Sequence, residues 1–158
     1  MKYTITNYLK KYVYEERSPH KLALSFCIGS YIAFSPFLFF HTIMVFAGVW
    51  LFQLNFPITL TAAYGINNPW TAIPIYMIDY IFGYWILHKL LHIKVVTIFP
   101  EWMSYLNYFF EYKLGLPQPC IWSFLIGGNL LGIILSVLLY PLMKKIFSKL
   151  VTEIHGTI

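Results

Sequence analysis

Long apolar stretches separated by short polar breaks dominate the sequence. Residues 22–78 contain no Asp, Glu, Lys or Arg, and residues 114–143 form a second stretch without charge. Each stretch exceeds the roughly 20 residues with which a helix crosses the hydrocarbon core of a bilayer. The pattern therefore predicts an all-α integral membrane protein, and we expect residues 1–158 to form a single membrane domain.

The N-terminal residues are more polar, and they predict two different helices. In residues 1–17, apolar side chains recur at helical spacing while the charged side chains point in other directions, which is typical of a short interfacial helix. Ser18 followed by Pro19 is a favourable N-cap and first helical residue. A second helix is therefore expected to begin there, as the start of a broken-helix core over residues 18–91.

The first apolar stretch is interrupted by a proline. Pro36 lacks a backbone donor and disfavours helical geometry at Ser35, which leaves two limbs over residues 22–34 and 37–53. Each limb would be about 20 to 25 Å long, which is shorter than the roughly 30 Å hydrocarbon core. Two short limbs favour a re-entrant helical hairpin, and a single kinked helix over residues 22–53 is the alternative.

A second break is expected over residues 64–70. Gly65 is a good C-terminal stop for one helix. Asn68 is a good N-cap for the next helix, and Pro69 is a good first helical residue. Non-helical backbone at membrane depth needs protein or trapped water as its hydrogen-bond partner, so this elbow should face the interior. The discontinuous helix is expected to resume at Pro69 and to kink at Pro74.

The C-terminal part of the chain predicts one interfacial helix and one spanning helix. The sequence is strongly amphipathic over residues 93–113, whereas residues 120–143 form the clearest transmembrane helix and end at Lys144. Small residues recur every fourth position on this last helix and permit close packing, either within the chain or between two copies as a homo-oligomer. This ladder consists of Gly128, Gly132 and Ser136.

The distribution of Lys and Arg predicts the orientation. Residues 1–21 contain five of these cations and residues 144–149 contain three, against three across residues 89–119. Because cytoplasmic segments carry the excess of positive charge, both termini should be cytoplasmic. A re-entrant hairpin followed by two spans, over residues 56–91 and 120–143, supplies the even number of crossings that this orientation requires.

Composition supports the membrane assignment and argues against several other classes of protein. The chain is 59% hydrophobic and 11% charged, whereas a soluble domain carries roughly a quarter charged residues. The net charge of +5 comes from residues that flank the apolar stretches, so we expect contact with membrane lipids and not with nucleic acid. His88 and His92 could share a helix face, but they lie at the membrane edge without a cysteine or a carboxylate nearby. No phosphate loop, nucleophile elbow, HExxH pattern or carboxylate pair occurs, so we expect no metal, no cofactor and no enzymatic activity.

Two side chains in the apolar core are candidates for chemistry. Asp79 is the only acidic residue in residues 22–100, and a carboxylate inside a membrane is costly enough to indicate function. The alternative is a solvated charge near the interface or a pair with Lys89. His41 lies in the second limb beside Thr42, and a lone histidine on an apolar helix is more often a hydrogen-bonded packing residue.

The elbow offers a different kind of site. Asn67 and Asn68 precede Pro69, and a helix that begins there directs free backbone N–H groups into the protein interior. Transporters use such half-helix ends to hold anionic groups at the middle of the membrane.

The runs FSPFLFFHT and INNPWTAIPIYMIDYIFG resemble the bacterial membrane family catalogued as domain of unknown function 2062. Similar proteins carry a proline break ahead of a His-Thr pair, an Asn-Pro-x-Thr-x-x-Pro-x-Tyr element and a Tyr-x-x-Gly end. The matching residues here are Pro36, His41, Thr42, Asn68, Pro69, Thr71, Pro74, Tyr76, Tyr80 and Gly83. The resemblance implies an inner-membrane protein with broken helices, and it implies no activity. A looser similarity at the level of the fold is to DedA-type membrane proteins, which are associated with lipid-carrier translocation.

These observations predict transport or translocation of a small solute or a lipid, with a non-catalytic membrane interaction or assembly module as the alternative. A transporter needs a polar, water-accessible cavity at the candidate pathway residues, whereas an interaction module would bury them dry. The pathway candidates are His41, Thr42, Asn67, Asn68, Thr71 and Asp79, and the helix breaks are Ser35, Pro36, Pro69 and Pro74.

Overall fold

The computed structural model describes residues 18–37, 40–92, 112 and 121–155. Within them the chain forms five α-helices and no strand, and a π-helical segment, Trp85–Leu90, follows the fourth helix. The interfacial helices predicted over residues 1–17 and 93–113 lie outside this part of the chain, apart from Tyr112. The helices are α1 (Pro19–Phe34), α2 (His41–Phe52), α3 (Phe56–Ile66), α4 (Ala72–Tyr84) and α5 (Ile121–His155).

Helix α1 begins and ends where local chemistry predicts. The Ser18 hydroxyl accepts a hydrogen bond from the backbone N–H of Lys21 at 3.4 Å, and Pro19 is the first helical residue. The helix ends at Phe34 because Ser35, which precedes a proline, adopts extended backbone with ψ of 132°. The predicted N-cap and the predicted break are both confirmed.

Helix α2 folds back on α1, so the two limbs form an antiparallel pair and not one kinked helix. Contacts step backwards along α2 as they advance along α1, from Ile28 with Gly48 to Ser35 with Met44, and Ile32 and Val45 between them belong to one buried cluster. The predicted start of the second limb at residue 37 is wrong, since α2 begins at His41. Just before α2, the N–H of Phe40 is bonded to the carbonyl of Phe37 at 2.9 Å.

Helix α3 runs parallel to α1 and lies very close to it. Gln53 ends α2 in the left-handed region with φ of 50°, and the Asn55 side chain then caps α3 by accepting from Ile58 N–H at 3.2 Å. A Cβ atom at Gly29 would lie 2.5 Å from the Thr59 carbonyl oxygen, so the close approach requires glycine. The contacts advance in the same direction on both helices, as Ser25 with Asn55, Gly29 with Thr59, and Ala33 with Asn67.

The elbow exists, but it is shorter than predicted and it lies slightly later in the chain. Helix α3 continues through Gly65 to Ile66, so the predicted stop at Gly65 is wrong. The continuous helix α4 begins at Ala72 and not at Pro69. The predicted capping role of Asn68 is confirmed, because its side-chain oxygen accepts from the N–H groups of Trp70 and Thr71 and holds the turn that precedes the helix. The predicted kink at Pro74 is also wrong, because this residue falls in the first turn of α4, where no backbone donor is needed.

Helix α5 is longer than the predicted spanning helix over residues 120–143. It continues past Lys144 to His155, because a basic residue marks the edge of an apolar segment but is itself a good helix former. Its segment Ile121–Glu153 is the one helix in the described residues that is long and apolar enough to cross a membrane. Helices α1 and α4 both pack against α5.

Much of the apolar surface faces outward. Two small clusters of buried residues hold the helices together, one around Leu22 and Phe147 and the other around Ile32 and Val45. Large apolar side chains elsewhere are exposed, including Trp50 at 80% of its surface. Exposed apolar area of this extent indicates contact with an apolar medium or with a partner.

Candidate functional site: a polar junction at the end of α1

Asp79 lies at the contact between α4 and α5, where the two backbones touch. A Cβ atom at Gly83 would lie 1.8 Å from the Ser123 carbonyl oxygen, and one at Gly127 would lie 1.8 Å from the Asp79 carbonyl oxygen. The two helices therefore meet at paired glycines in antiparallel order. Asp79 is fully buried at this contact, with 0% of its surface exposed.

The Asp79 carboxyl group has no hydrogen-bond partner for either oxygen within the described part of the chain. Its Oδ2 atom lies 3.4 Å from the place that a Cβ on Gly128 would occupy, and the Phe34 carbonyl oxygen lies 2.6 Å from the same place. Lys89 is ten residues further along the chain, about 15 Å at helical rise, and it is exposed. Among these residues Asp79 is thus neither solvated nor paired with Lys89.

His41 closes the break at the end of α1. Its Nε2 atom donates a hydrogen bond to the Ser35 carbonyl oxygen at 3.0 Å, and the side chain is buried. This bond satisfies a carbonyl that the end of the helix leaves free. The geometry fits the interpretation of His41 as a packing residue.

Asn67 joins the end of α1 to α4. Its side-chain N–H₂ group donates to the Ala33 carbonyl oxygen at 2.7 Å and to the Tyr76 hydroxyl at 2.8 Å. The Tyr76 ring in turn contacts the Phe124 ring of α5, with 5.4 Å between the ring centroids. Because Asn67 itself ends α3, its amide group connects α3 to α1 and α4.

The remaining pathway candidates lie away from this junction. Thr42 is exposed, and its hydroxyl bonds to the Tyr64 hydroxyl, which links α2 to α3. Asn68 and Thr71 are used by the elbow itself, since the Asn68 amide donates to the Gly65 carbonyl and the Thr71 hydroxyl to the Ile66 carbonyl. The structure thus brings together Ser35, His41, Asn67 and Asp79 around the last turn of α1.

The ladder of small residues on α5 packs against α1 of the same chain. Its three members contact successive turns of α1: a Cβ on Gly128 would lie 2.6 Å from the Phe34 carbonyl oxygen, and one on Gly132 would lie 3.1 Å from the Tyr31 ring. Ser136 donates to the Cys27 carbonyl oxygen at 2.8 Å. This face of α5 therefore packs within the chain, against α1. A homo-oligomer through α5 would need another face of the helix.

The last turn of α1, with its proline break, and the elbow before α4 carry the motifs quoted above for the resemblance. A family model described as "Uncharacterized protein conserved in bacteria (DUF2062)" matches residues 2–154. The chain belongs to the DUF2062 family. No curated protein and no solved structure matches it, so the similarity to DedA-type proteins is not confirmed.

The DUF2062 chain also contains an apolar groove that the sequence pattern does not predict. It has a volume of about 620 Å³ and lies between α1, α2 and α5. Its walls are apolar side chains, and Gly48 leaves one wall without a side chain. The groove is separate from the polar junction, because none of Ser35, His41, Asn67 and Asp79 lines it.

Three contacts of the DUF2062 junction were missed by sequence reasoning. Tyr31 donates to the Asn129 side-chain oxygen at 2.7 Å, Asn67 bonds to Tyr76, and Gly83 meets Gly127. Gly83 and Tyr76 fall in the quoted motifs, so their importance was visible but their partners were not. Partners on separate helices cannot be inferred from spacing along one chain.

Proposed function

We propose that this DUF2062 protein is a multi-pass protein of the bacterial inner membrane that transports or translocates a small solute or a lipid. The exposed apolar surface and the span-length helix α5 support the membrane location. In this proposal α1 and α2 form a re-entrant hairpin, and α3 and α4 form one discontinuous segment. The excess of Lys and Arg near both termini supports a cytoplasmic position for each.

The observation that carries the proposal is the unpartnered Asp79 carboxyl. An ionised carboxylate that is buried without a partner is expensive, so its presence between broken helices indicates a pathway or coupling residue. The nearby Phe34 carbonyl marks the negative end of α1 and repels a carboxylate. A protonated carboxyl would instead offer this carbonyl an O–H donor.

Proton exchange at Asp79 would therefore change how tightly α1, α4 and α5 are held together. Such a change is the kind of two-state element that couples a proton to the movement of a substrate. Tyr76 and Tyr80 are the titratable side chains beside Asp79 on α4, and Tyr31 and His41 lie on the α1–α2 side of the junction. None of the α5 residues at this contact is charged.

The proposal predicts that Asp79→Asn keeps the fold and removes pH-dependent flux, because Asn keeps the size of the side chain but cannot exchange a proton. Purified protein would be reconstituted in liposomes that contain a trapped pH dye and fluorescent phosphatidylglycerol. Proton entry and lipid movement between leaflets would be recorded from acidic to neutral pH. Glu153→Gln, which makes the same chemical change at an exposed position of α5, is the matched control.

Two results would contradict this proposal. Parent-like pH dependence in Asp79→Asn would remove Asp79 from the mechanism. Movement of neither probe by the parent protein would favour an interaction module instead. That alternative has its own support. Asp79 and His41 are buried, the groove does not reach them, and the hydrogen bonds of His41 and Asn67 are satisfied within the chain. This is the dry arrangement expected of an interaction module.

A further inference from the structure

The groove between α1, α2 and α5 has the dimensions and chemistry of a ligand site. Its volume of about 620 Å³ falls within the range of small-molecule pockets in proteins. Leu24 and Ile28 of α1 and Met44 and Leu51 of α2 form two of its walls. A ligand that fills it must be apolar over most of its length.

Helix α5 forms the third wall, and a positive charge follows that wall along the helix. Ile133, Val137 and Tyr140 line the groove at helical spacing along α5, and Lys144 comes one turn later on the same face. Lys144 is exposed, and the nearest acidic residue after it on α5 is Glu153. On α5, a cation therefore lies one turn beyond the last residue that lines this apolar groove.

We propose that this groove binds an acyl chain of an anionic phospholipid, whose phosphate lies at Lys144. Charge complementarity selects this occupant, since an apolar chain fits the walls and a phosphate fits the cation at the end. The proposal rests on the membrane location given above and names the class of ligand. It does not depend on transport, so it is tested by binding and not by flux.

The direct test is native mass spectrometry of the detergent-solubilised full chain with phosphatidylglycerol or phosphatidylcholine added. The parent should retain one lipid per chain and prefer phosphatidylglycerol. Gly48→Leu places a side chain in the groove and should lose both lipids. Gly65→Leu is its control, because a Cβ at Gly65 meets nothing within 4 Å.

A second variant tests the headgroup contact without altering the groove. Lys144→Glu should reduce the preference for phosphatidylglycerol by about fivefold or more, since a surface cation contributes about 1 kcal/mol to anionic-lipid binding. Lys145→Glu changes the same charge on another face of α5 and should retain most of the preference.

Parent-like lipid retention in folded Gly48→Leu would overturn the proposal. Equal effects of Lys144→Glu and Lys145→Glu would also overturn it, and this comparison holds even if Gly48→Leu does not fold. Asp79→Asn should bind lipid as the parent does, so a failure of the transport mechanism remains distinguishable from a failure of this site.

Discussion

Individual glycines determine how closely the helices of this protein approach. At Gly83 and Gly127 the α4 and α5 backbones touch, and at Gly29 the α1 and α3 backbones do the same. Because glycine has no side chain, the backbones can meet there at van der Waals distance and form Cα–H···O contacts. The contact between α4 and α5 contributes to the burial of Asp79.

Gly83→Ala should destabilise the protein by about 1 to 3 kcal/mol, because the new Cβ would overlap the Ser123 carbonyl oxygen and push the helices apart. Gly65→Ala is the matched control, since its Cβ would enter open space and alanine is the better helix former. Thermal unfolding in detergent measures both. An equal melting temperature for Gly83→Ala and the parent would show that α4 and α5 do not meet as described.

At the level of helices, the sequence predicts both boundaries of α1, where local chemistry sets them. Ser18 with Pro19 starts α1, and Ser35 with Pro36 ends it, because caps and prolines act on their immediate neighbours. The start of α2 at His41 could not be predicted in the same way. It depends on how many residues the chain needs to turn back onto α1.

The contact of α5 with α1 depends on the ladder of small residues. Gly132→Leu should lower the melting temperature in detergent. The new Cβ would lie 3.1 Å from the Tyr31 ring and 3.2 Å from the Tyr31 carbonyl oxygen, so the helices would have to move apart. Gly65→Leu controls for added bulk. If Gly132→Leu leaves both the melting temperature and the oligomeric distribution unchanged, the ladder has no role in packing.

For the whole molecule, the candidate site was only partly predictable. Asp79 was identifiable as the lone carboxylate of a long apolar stretch, and His41 as a packing residue. The groove could not be predicted, because its walls come from α1, α2 and α5, and α5 is far from the other two helices in sequence. The role of Asn67 was also hidden, since its partners Ala33 and Tyr76 lie on other helices.

We propose that this chain crosses the membrane an even number of times, with broken helices. Cysteine accessibility in intact cells tests it most directly, with Cys27 and Cys120 first replaced by serine. Single cysteines would then be placed at Lys11, Lys149 and Glu101 and treated with a membrane-impermeant thiol reagent. We expect labelling at Glu101 in intact cells, and at Lys11 and Lys149 only after the membrane is opened. Labelling of Lys11 and Lys149 from opposite sides would contradict it.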